Sequence, residues 1–316
     1  MVDELEEDSI GNLYATIKGT TDDRILLDAH ADEIGFQVIF IENEGFIRIA
    51  AVGGQNPRIL PGARVIIHSS KGGQIIGVIG EKPIHHLSAD DRKKTTEISK
   101  LFVDIGISSK SEVEKYVDLG DFETLAQTAL RFPNSTLATG KAFDDRAGCW
   151  VLIRVLQMLK NQINTHGRIK STITAVFSAQ EEIGVRGAGV AAYHTNPNLA
   201  IILEVTHAMD YPGGAKNEYG DVKLGGGPTI PLGPNVYPKF GKQAIEVAKK
   251  ERIPFQARAL PTPASNNARI IQITREGIPT GLVVIPLRYM HTAIECLDLR
   301  DLNWTAQLVW KFILSN

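Results

Sequence analysis

The sequence predicts an α/β fold, in which helices sandwich a mostly parallel mixed sheet, with an inserted β-barrel domain. Beyond about residue 140, apolar strands alternate with helices, which is typical of a parallel sheet covered on both faces. Between about residues 24 and 80 the apolar runs are instead short and separated by glycines, which indicates a barrel or sandwich. The length of 316 residues fits about two such domains.

The C-terminal part supplies the helices and strands of the α/β domain in order. Its first helix, DDRAGCWVLIRVLQMLK over 144–160, places Cys149, Leu152, Leu156 and Leu159 on one stripe. The later elements are predicted as strand 171–179, helix 188–194, strand 199–205, helix 239–250, strand 254–260, helix 266–277, strand 280–286 and helix 301–314. The strands are nearly continuous apolar runs, as burial on both faces requires.

The β-rich part contains the predicted strands GFQVIF, FIRIA, ARVIIHS and QIIGVIG, and the charged stretch Ser88–Lys100 is predicted to be a loop. The strand in LLDAHAD, 26–32, suits the large sheet instead, although it precedes the β-rich part. The sequence therefore predicts a discontinuous α/β domain, 1–35 and 138–316, interrupted by a β-rich barrel domain, 36–137.

Composition excludes several classes of function. The net charge of −2 gives no basic excess that would indicate a nucleic acid or an anionic membrane as partner. No apolar run approaches the ~20 residues of a membrane span, and the acidic N-terminal stretch lacks the apolar core of a secretory signal. Two cysteines cannot form a disulfide framework, so a reducing, cytoplasmic location is expected.

Ionisable side chains follow predicted strands, at the edge where α/β sheets bind their ligands, or directly precede a predicted helix. They are His30 with Asp32, Asp144 with Asp145, Glu181 with Glu182, Glu204, and His291. Each has a plain structural interpretation when it is taken alone, such as a helix cap for the two aspartates or a salt bridge for Glu204. Together, however, converging acids repel one another unless cations compensate. The pattern therefore favours two divalent cations ~3.5–4 Å apart, of a kind that activates water for hydrolysis.

Six motifs occur in a fixed order along the chain: LLDAHADEIGF, GKAFDDRAG, SAQEEIGVRGA, EVTHAMDYPGG, LGGGPTI and PLRYMHTAIE. Together they resemble the tetrahedral aminopeptidases, a family that includes glutamyl aminopeptidases and proteins often labelled endoglucanase M. The resemblance runs from about Ile10 to the C-terminus. It implies a zinc-peptidase-like domain with a barrel insertion, peptide substrates, and a homo-oligomer that is commonly a tetrahedral dodecamer. It also implies two divalent metal ions per subunit, for which zinc, cobalt or manganese suit the histidine and carboxylate ligands.

The resemblance assigns roles to individual residues. The implied metal ligands are His30, Asp144, Glu182, Glu204 and His291. Asp144 would bridge the two metals, with His30 and Glu204 on one and Glu182 and His291 on the other. Glu181 would be the general base for hydrolysis of the N-terminal peptide bond, Asp32 would orient His30, and Asp145 would support Asp144. Glu181 and Asp32 are thus the expected catalytic residues beside the metal ligands.

The sequence departs from the family pattern at three places. Glu204 stands where the motif normally has Asp. Ser265-Asn266-Asn267 stands where Gly-Thr-Asp-Ala is usual. The plain structural interpretation of Asn266 is that it still caps the following helix. A short acidic lead stands where the family has an amphipathic helical segment before DSIGNLYATIKG.

These departures keep two alternatives open. One is a catalytically impaired or altered-specificity relative that acts as a scaffold or binding protein. The other is a glycosidase, which needs two carboxylates flanking a sugar. The histidines interleaved with the acids favour metals over the glycosidase.

Overall fold

The computed structural model describes residues 2–234 and 236–315. The chain forms two compact units. The first comprises Met1–Asp32, Leu130–Met290 and Glu295–Asn316, and the second comprises Glu33–Ala129 and His291–Ile294. In the described part of the chain, no helix combines the length and the apolar character needed to cross a membrane.

The secondary structure is numbered along the chain. The strands are β1 (Glu4–Glu7), β2 (Leu13–Ile17), β3 (Arg24–His30), β4 (Gly35–Ile41), β5 (Ile47–Val52), β6 (Arg64–His68), β7 (Gln74–Gly80), β8 (Phe102–Asp104), β9 (Phe122–Leu125), β10 (Leu130–Arg131), β11 (Leu137–Gly140), β12 (Thr172–Ser178), β13 (Leu199–His207), β14 (Thr229–Leu232), β15 (Gln256–Ala259), β16 (Thr280–Leu287) and β17 (Glu295–Asp298). The α-helices are α1 (Lys110–Val113), α2 (Phe143–His166), α3 (Arg186–Thr195), α4 (Lys216–Tyr219), α5 (Pro238–Glu251), α6 (Ala268–Ile271) and α7 (Leu299–Ser315).

The first unit is built on an eight-stranded mixed sheet in the order β1-β2-β12-β3-β13-β16-β14-β15. Its centre is parallel, because β3 pairs in parallel with both β12 and β13, and β13 does so with β16. Strands β1 and β2 add to one side in antiparallel fashion. A small sheet, β10-β11-β17, completes this unit. The carboxyl ends of the central parallel strands meet at one edge, which is where an α/β sheet binds ligands.

Side chains that alternate along the strands divide the core of the first unit between two faces of the sheet. One face carries Leu27, Ile201 and Val283 and is covered by α2, α5 and α7. The opposite face carries Leu26 and Ile202 and is covered by α3 and α6. The sheet is therefore sandwiched by helices, as the sequence predicts.

The second unit is a closed antiparallel barrel in the order β4-β5-β8-β7-β6-β9. Its interior is filled by apolar side chains, among them Phe36, Val38, Ile49, Val65, Ile67 and Val103. The barrel confirms the predicted architecture of the β-rich part. Because β10 and β11 pair with β17 in the first unit, the contacts divide the chain at 33 and 129, whereas the sequence predicts boundaries at 36 and 137.

Most predicted elements of the first unit lie where the sequence places them, but one helix is much shorter. The sequence predicts a helix over 266–277, and α6 covers only Ala268–Ile271 before the chain continues in turns. The segment is rich in β-branched residues, including Ile270, Ile271 and Ile273, which lower helix propensity. Ile273 is also 68% exposed, so the end of this segment gains little from packing.

Candidate active site

His30 ends β3 at the centre of the sheet and is 2% exposed. Its Nδ1 lies 3.2 Å from the main-chain oxygen of Asp32 and 3.5 Å from the carboxylate oxygen Oδ1 of the same residue. This contact directs Nε2 towards the acids, at 3.1 Å from Asp144 Oδ1 and 3.9 Å from Glu204 Oε2. Burial alone would lower the pKa of His30, but the hydrogen bonds to Asp144 and Asp32 outweigh it and raise that pKa well above the usual value.

Asp32 connects the end of β3 with the segment that follows β12. The main-chain N–H groups of Glu181 and Glu182 donate to its two carboxylate oxygens, each at 3.1 Å. Burial opposes the charge of Asp32, but the contact with His30 and these N–H donors outweigh it and lower its pKa. Asp32 therefore stays ionised and holds both the imidazole and the glutamate pair, as the arrangement of a histidine ligand and its supporting carboxylate requires.

Asp144 and Asp145 lie in the first turn of α2, joined by a cis peptide bond. Glu295 on β17 holds this turn, because its Oε2 accepts from the N–H groups of Phe143 at 2.7 Å and Asp144 at 3.2 Å. Asp145 is fully buried, and Gly148 N donates to its Oδ1 at 3.0 Å. A Cβ atom on Gly148 would collide with this carboxylate, so only glycine allows the close approach.

Glu181 and Glu182 follow β12 and are half-buried. Burial raises the pKa of Glu181 to about 7, and the neighbouring charges of Glu182 and Asp144 act in the same direction, while His30 opposes them. A carboxylate with such a pKa suits proton transfer near neutral pH. Glu181 therefore has the electrostatic environment of a general base.

Glu204 lies within β13 and is 7% exposed. Its Oε1 accepts from the N–H of Val205 at 2.9 Å, and its Oε2 faces His30. Burial, reinforced by the charge of Asp145, raises the pKa of Glu204 well above its usual value. The longer side chain of glutamate, where the family motif has aspartate, thus still reaches the cluster.

The sheet edge brings these side chains into two overlapping groups with the spacing of metal ligands. Ligand atoms of His30, Asp144 and Glu182 lie within 4.8 Å of one another, and so do those of His30, Asp145 and Glu204. The resemblance implies His30 and Glu204 on one metal, Glu182 and His291 on the other, and Asp144 bridging both. In the structure, Asp145 joins His30 and Glu204 in one group, and Glu182 lies with His30 and Asp144 in the other. Sequence reasoning placed Asp145 only in support of Asp144.

The charges in this cluster fit divalent cations. Among the described residues, Asp145 Oδ2 is buried without a hydrogen-bond partner. Burial and the charge of Asp144 also raise the pKa of Asp145 well above its usual value, although His30 opposes them. Several acids thus share one histidine in a buried site, an arrangement that is costly unless positive charge is added. Imidazole and carboxylate donors are the set that zinc, cobalt and manganese accept.

His291 lies in the short segment that belongs to the second unit. Its Nδ1 lies 2.8 Å from the carbonyl oxygen of Gly54. A Cβ atom on Gly54 would approach the imidazole to 2.9 Å, so the glycine makes room for it. The assignment of His291 as a metal ligand stays a prediction.

Sequence reasoning missed the residues that support the site. Glu295 positions the turn of the two aspartates, and Asp28, Ser178 and Asn267 form a buried cluster next to His30. A signal exists for Asp28, because an acid two residues before His30 in an apolar strand must share its face. In the segment that departs from Gly-Thr-Asp-Ala, Asn266 Oδ1 accepts from the N–H of Ala268 at 3.2 Å, although the residue at the N-cap position of α6 is Asn267.

The sequence profile of M42 glutamyl aminopeptidases matches residues 11–308 of the chain. The chain belongs to this M42 family. The lysyl aminopeptidase of Pyrococcus furiosus is 34% identical over 312 residues, which are 98% of this chain and 86% of the relative. Neither the non-catalytic nor the glycosidase interpretation is favoured by these matches. The protein is a metal-dependent aminopeptidase, a hydrolase of peptide bonds.

Solved structures of M42-like peptidases agree with the fold. The TET aminopeptidase from the marine sediment archaeon Thaumarchaeota archaeon SCGC AB-539-E09 superposes with a TM-score of 0.93 at 34% identity, covering 99% of this chain and 87% of that one. The Pyrococcus horikoshii TET1 peptidase, which can assemble into a tetrahedron or a large octahedral shell, gives a TM-score of 0.86 at 29% identity, covering 99% and 90%.

The position of His30 allows a prediction about metal content in this M42 peptidase. Because its Nε2 faces Asp144 and Glu204, His30→Gln is expected to weaken metal binding by more than the ~10–100-fold that loss of a supporting residue costs. Equilibrium dialysis with Zn²⁺ or Co²⁺, followed by elemental analysis, measures the effect. His68→Gln changes an exposed barrel histidine in the same way and should keep the wild-type content. Equal metal content in both variants would contradict the assignment.

Proposed function

We propose that the chain removes N-terminal residues from peptides with two divalent cations, zinc, cobalt or manganese, held at the carboxyl edge of the central sheet. The observation that carries this proposal is the pair of overlapping ligand groups around His30. The proposed ligands within the first unit are His30, Asp144, Asp145, Glu182 and Glu204. Bound there, the cations would polarise the scissile carbonyl and make an attacking water more acidic.

Glu181 is the proposed general base. It follows β12 directly before the proposed ligand Glu182, and the charges of His30, Glu182 and Asp144 act on its carboxylate. Its carboxylate oxygen takes a proton from the attacking water and then gives that proton to the leaving amine. In the metal-free protein, burial raises the pKa of this carboxyl to about 7, which favours its acceptance of a proton near neutral pH.

Asp32 is the proposed positioning residue for both parts of this machinery. Its carboxylate faces His30 Nδ1, which keeps Nε2 available on the side of the acids. The same carboxylate accepts the N–H groups of Glu181 and Glu182 and so fixes the base relative to the ligand. These contacts order the base before substrate arrives, which is the preorganisation that catalysis needs.

Metal removal tests the proposal. Incubation with a chelator is expected to abolish the release of N-terminal residues from a panel of aminoacyl-anilides and short peptides, and one of the three metals should restore it. N-terminally acetylated peptides serve as the control and should stay intact throughout. Full activity in the metal-free protein would contradict the proposal.

Homologous structures also support a proposal about assembly. The related TET1 peptidase forms tetrahedra or octahedral shells, and another structure of it is a dodecamer. We therefore propose that this chain forms a homo-oligomer, with a dodecamer as the expected size, which light scattering on the purified protein measures. The cytoplasmic location stays a prediction from the sequence.

A further inference from the structure

Three buried polar side chains lie close to His30 but outside the ligand groups. Asp28 on β3 and Ser178 on β12 are 0% exposed, and Asn267 directly before α6 is 1% exposed. They belong to three elements that are far apart in sequence. Polar groups in such a position are costly to bury unless they are hydrogen-bonded to one another.

The three side chains form a closed hydrogen-bonded cluster. Ser178 Oγ donates to Asp28, at 3.0 Å from Oδ1 and 2.9 Å from Oδ2. Asn267 Nδ2 donates to the same carboxylate, at 2.9 Å from Oδ1 and 3.1 Å from Oδ2, and lies 2.9 Å from Ser178 Oγ. Both oxygens of Asp28 are thus engaged by donors from the neighbouring strand and from the segment before α6.

The cluster lies at the carboxyl ends of β3 and β12, next to the side chains of the proposed site. Ser178 pairs in register with His30, and Asp28 precedes His30 by two residues, so both point to the same face. The N–H of Ala31 also donates to the carbonyl oxygen of Ser178 at 2.8 Å. Beyond Ser178 the chain runs to Glu181 and Glu182. The cluster therefore joins the strand end that carries His30 to the strand end that leads to the glutamate pair.

One buried amide oxygen of the cluster carries an energetic cost. Within the described residues, the Oδ1 atom of Asn267 is buried without a hydrogen-bond partner. A buried acceptor left in that state opposes folding. Both donor positions of this amide are directed at Asp28 and Ser178.

We propose that Asp28, Ser178 and Asn267 form a positioning clamp that sets the spacing between His30 and the Glu181–Glu182 pair, and so tunes metal affinity and turnover. None of the three belongs to a ligand group, so the role proposed for them is that of positioning residues. The inference rests on the proposed function, because it concerns the same site. Misplacement of a ligand or base by about 1 Å is enough to cost on the order of 10²-fold in rate.

An exchange of the acid and the amide tests the clamp. Asp28→Asn places two amides against each other, and Ser178→Ala removes one donor without adding bulk. Each is expected to weaken Co²⁺ affinity of the metal-free protein by ~10–100-fold and to lower kcat with little change in KM. The double variant Asp28→Asn with Asn267→Asp restores an acid–amide pair in the reverse orientation, and it should recover most of the affinity.

A matched control separates positioning from stability. Thr174 lies on the same strand as Ser178, and its Oγ1 is 3.1 Å from that of Thr16. Thr174→Val should lower the melting temperature of the metal-free protein without changing Co²⁺ affinity or the ratio of kcat to KM. Wild-type affinity in both Asp28→Asn and Ser178→Ala would overturn the clamp while leaving the proposed function intact. A wild-type chain that binds no cation would overturn both.

Discussion

Replacing Glu181 with glutamine is expected to lower kcat by about 10²–10⁴-fold, because the attacking water loses the group that accepts its proton. Glutamine keeps the size of the side chain and leaves the main-chain N–H groups that bind Asp32 in place. The ligand groups do not include Glu181, so metal content should equal that of the wild type. Steady-state kinetics on an aminoacyl-anilide, with elemental analysis of the same sample, measures both quantities.

Two further variants sharpen this experiment. Glu182→Gln makes the same chemical change one residue later, at a member of a ligand group, and is expected to lose metal as well as activity. Glu276→Gln changes an exposed glutamate and should retain both. The role of Glu181 as the base is wrong if Glu181→Gln turns over substrate at a rate near the wild type.

Replacing Glu123 with methionine is expected to stabilise the protein by about 4 kcal/mol at pH 7.5. Glu123 lies on β9 opposite Phe36 and Ile67, is 0% exposed, and has no hydrogen-bond partner for either carboxylate oxygen among the described residues. Burial raises the pKa of this carboxyl to about 8 from its ordinary 4.5. Methionine fills a similar volume without a group that needs water or a partner.

The sign of the pH dependence follows from that shift in pKa. Because the folded state holds the proton more tightly than the unfolded chain, Glu123 costs nothing through ionisation below about pH 4.5. Its cost then grows as the pH rises and levels off above about pH 8. The gain from Glu123→Met should therefore be larger at pH 8 than at pH 5.

Thermal unfolding at the two pH values measures this difference. Glu44→Met, at an exposed position of the same unit, is the matched control and should give no gain at either pH. An equal gain from Glu123→Met at pH 5 and pH 8 would show that the carboxyl does not titrate as its burial requires.

Much of the site was predictable because its residues follow strands in a fixed order. The apolar strands 199–205 and 280–286 mark the parallel sheet, and the carboxyl ends of such strands converge. That rule alone brings together His30, the glutamate pair and Glu204. The resemblance to the tetrahedral aminopeptidases supplied the proposed roles. It could not show that Asp145 accompanies Glu204, since that depends on how the first turn of α2 is held by Glu295.

The segment 266–277 shows why local patterns fail where tertiary contacts decide. Its apolar periodicity indicates a helix, yet the chain makes one turn of α6 and then a series of turns. The end of the predicted helix gains little from packing, because Ile273 is 68% exposed. The start of the segment is held by the contact of Asn267 with Asp28, residues separated by 239 positions. No local propensity encodes such a contact, because it exists only once β3 and the segment before α6 have come together.

The sequence by itself determined the α/β class, the barrel insertion and the identity of the residues that meet at the sheet edge, since periodicity and strand order are local properties. Only the tertiary structure decided which acids lie close to His30, which carboxyl groups are desolvated, and where, among the described residues, a buried carboxyl has no hydrogen-bond partner in the barrel. Those outcomes depend on desolvation and on distances between side chains, and both are set by packing among segments remote in sequence.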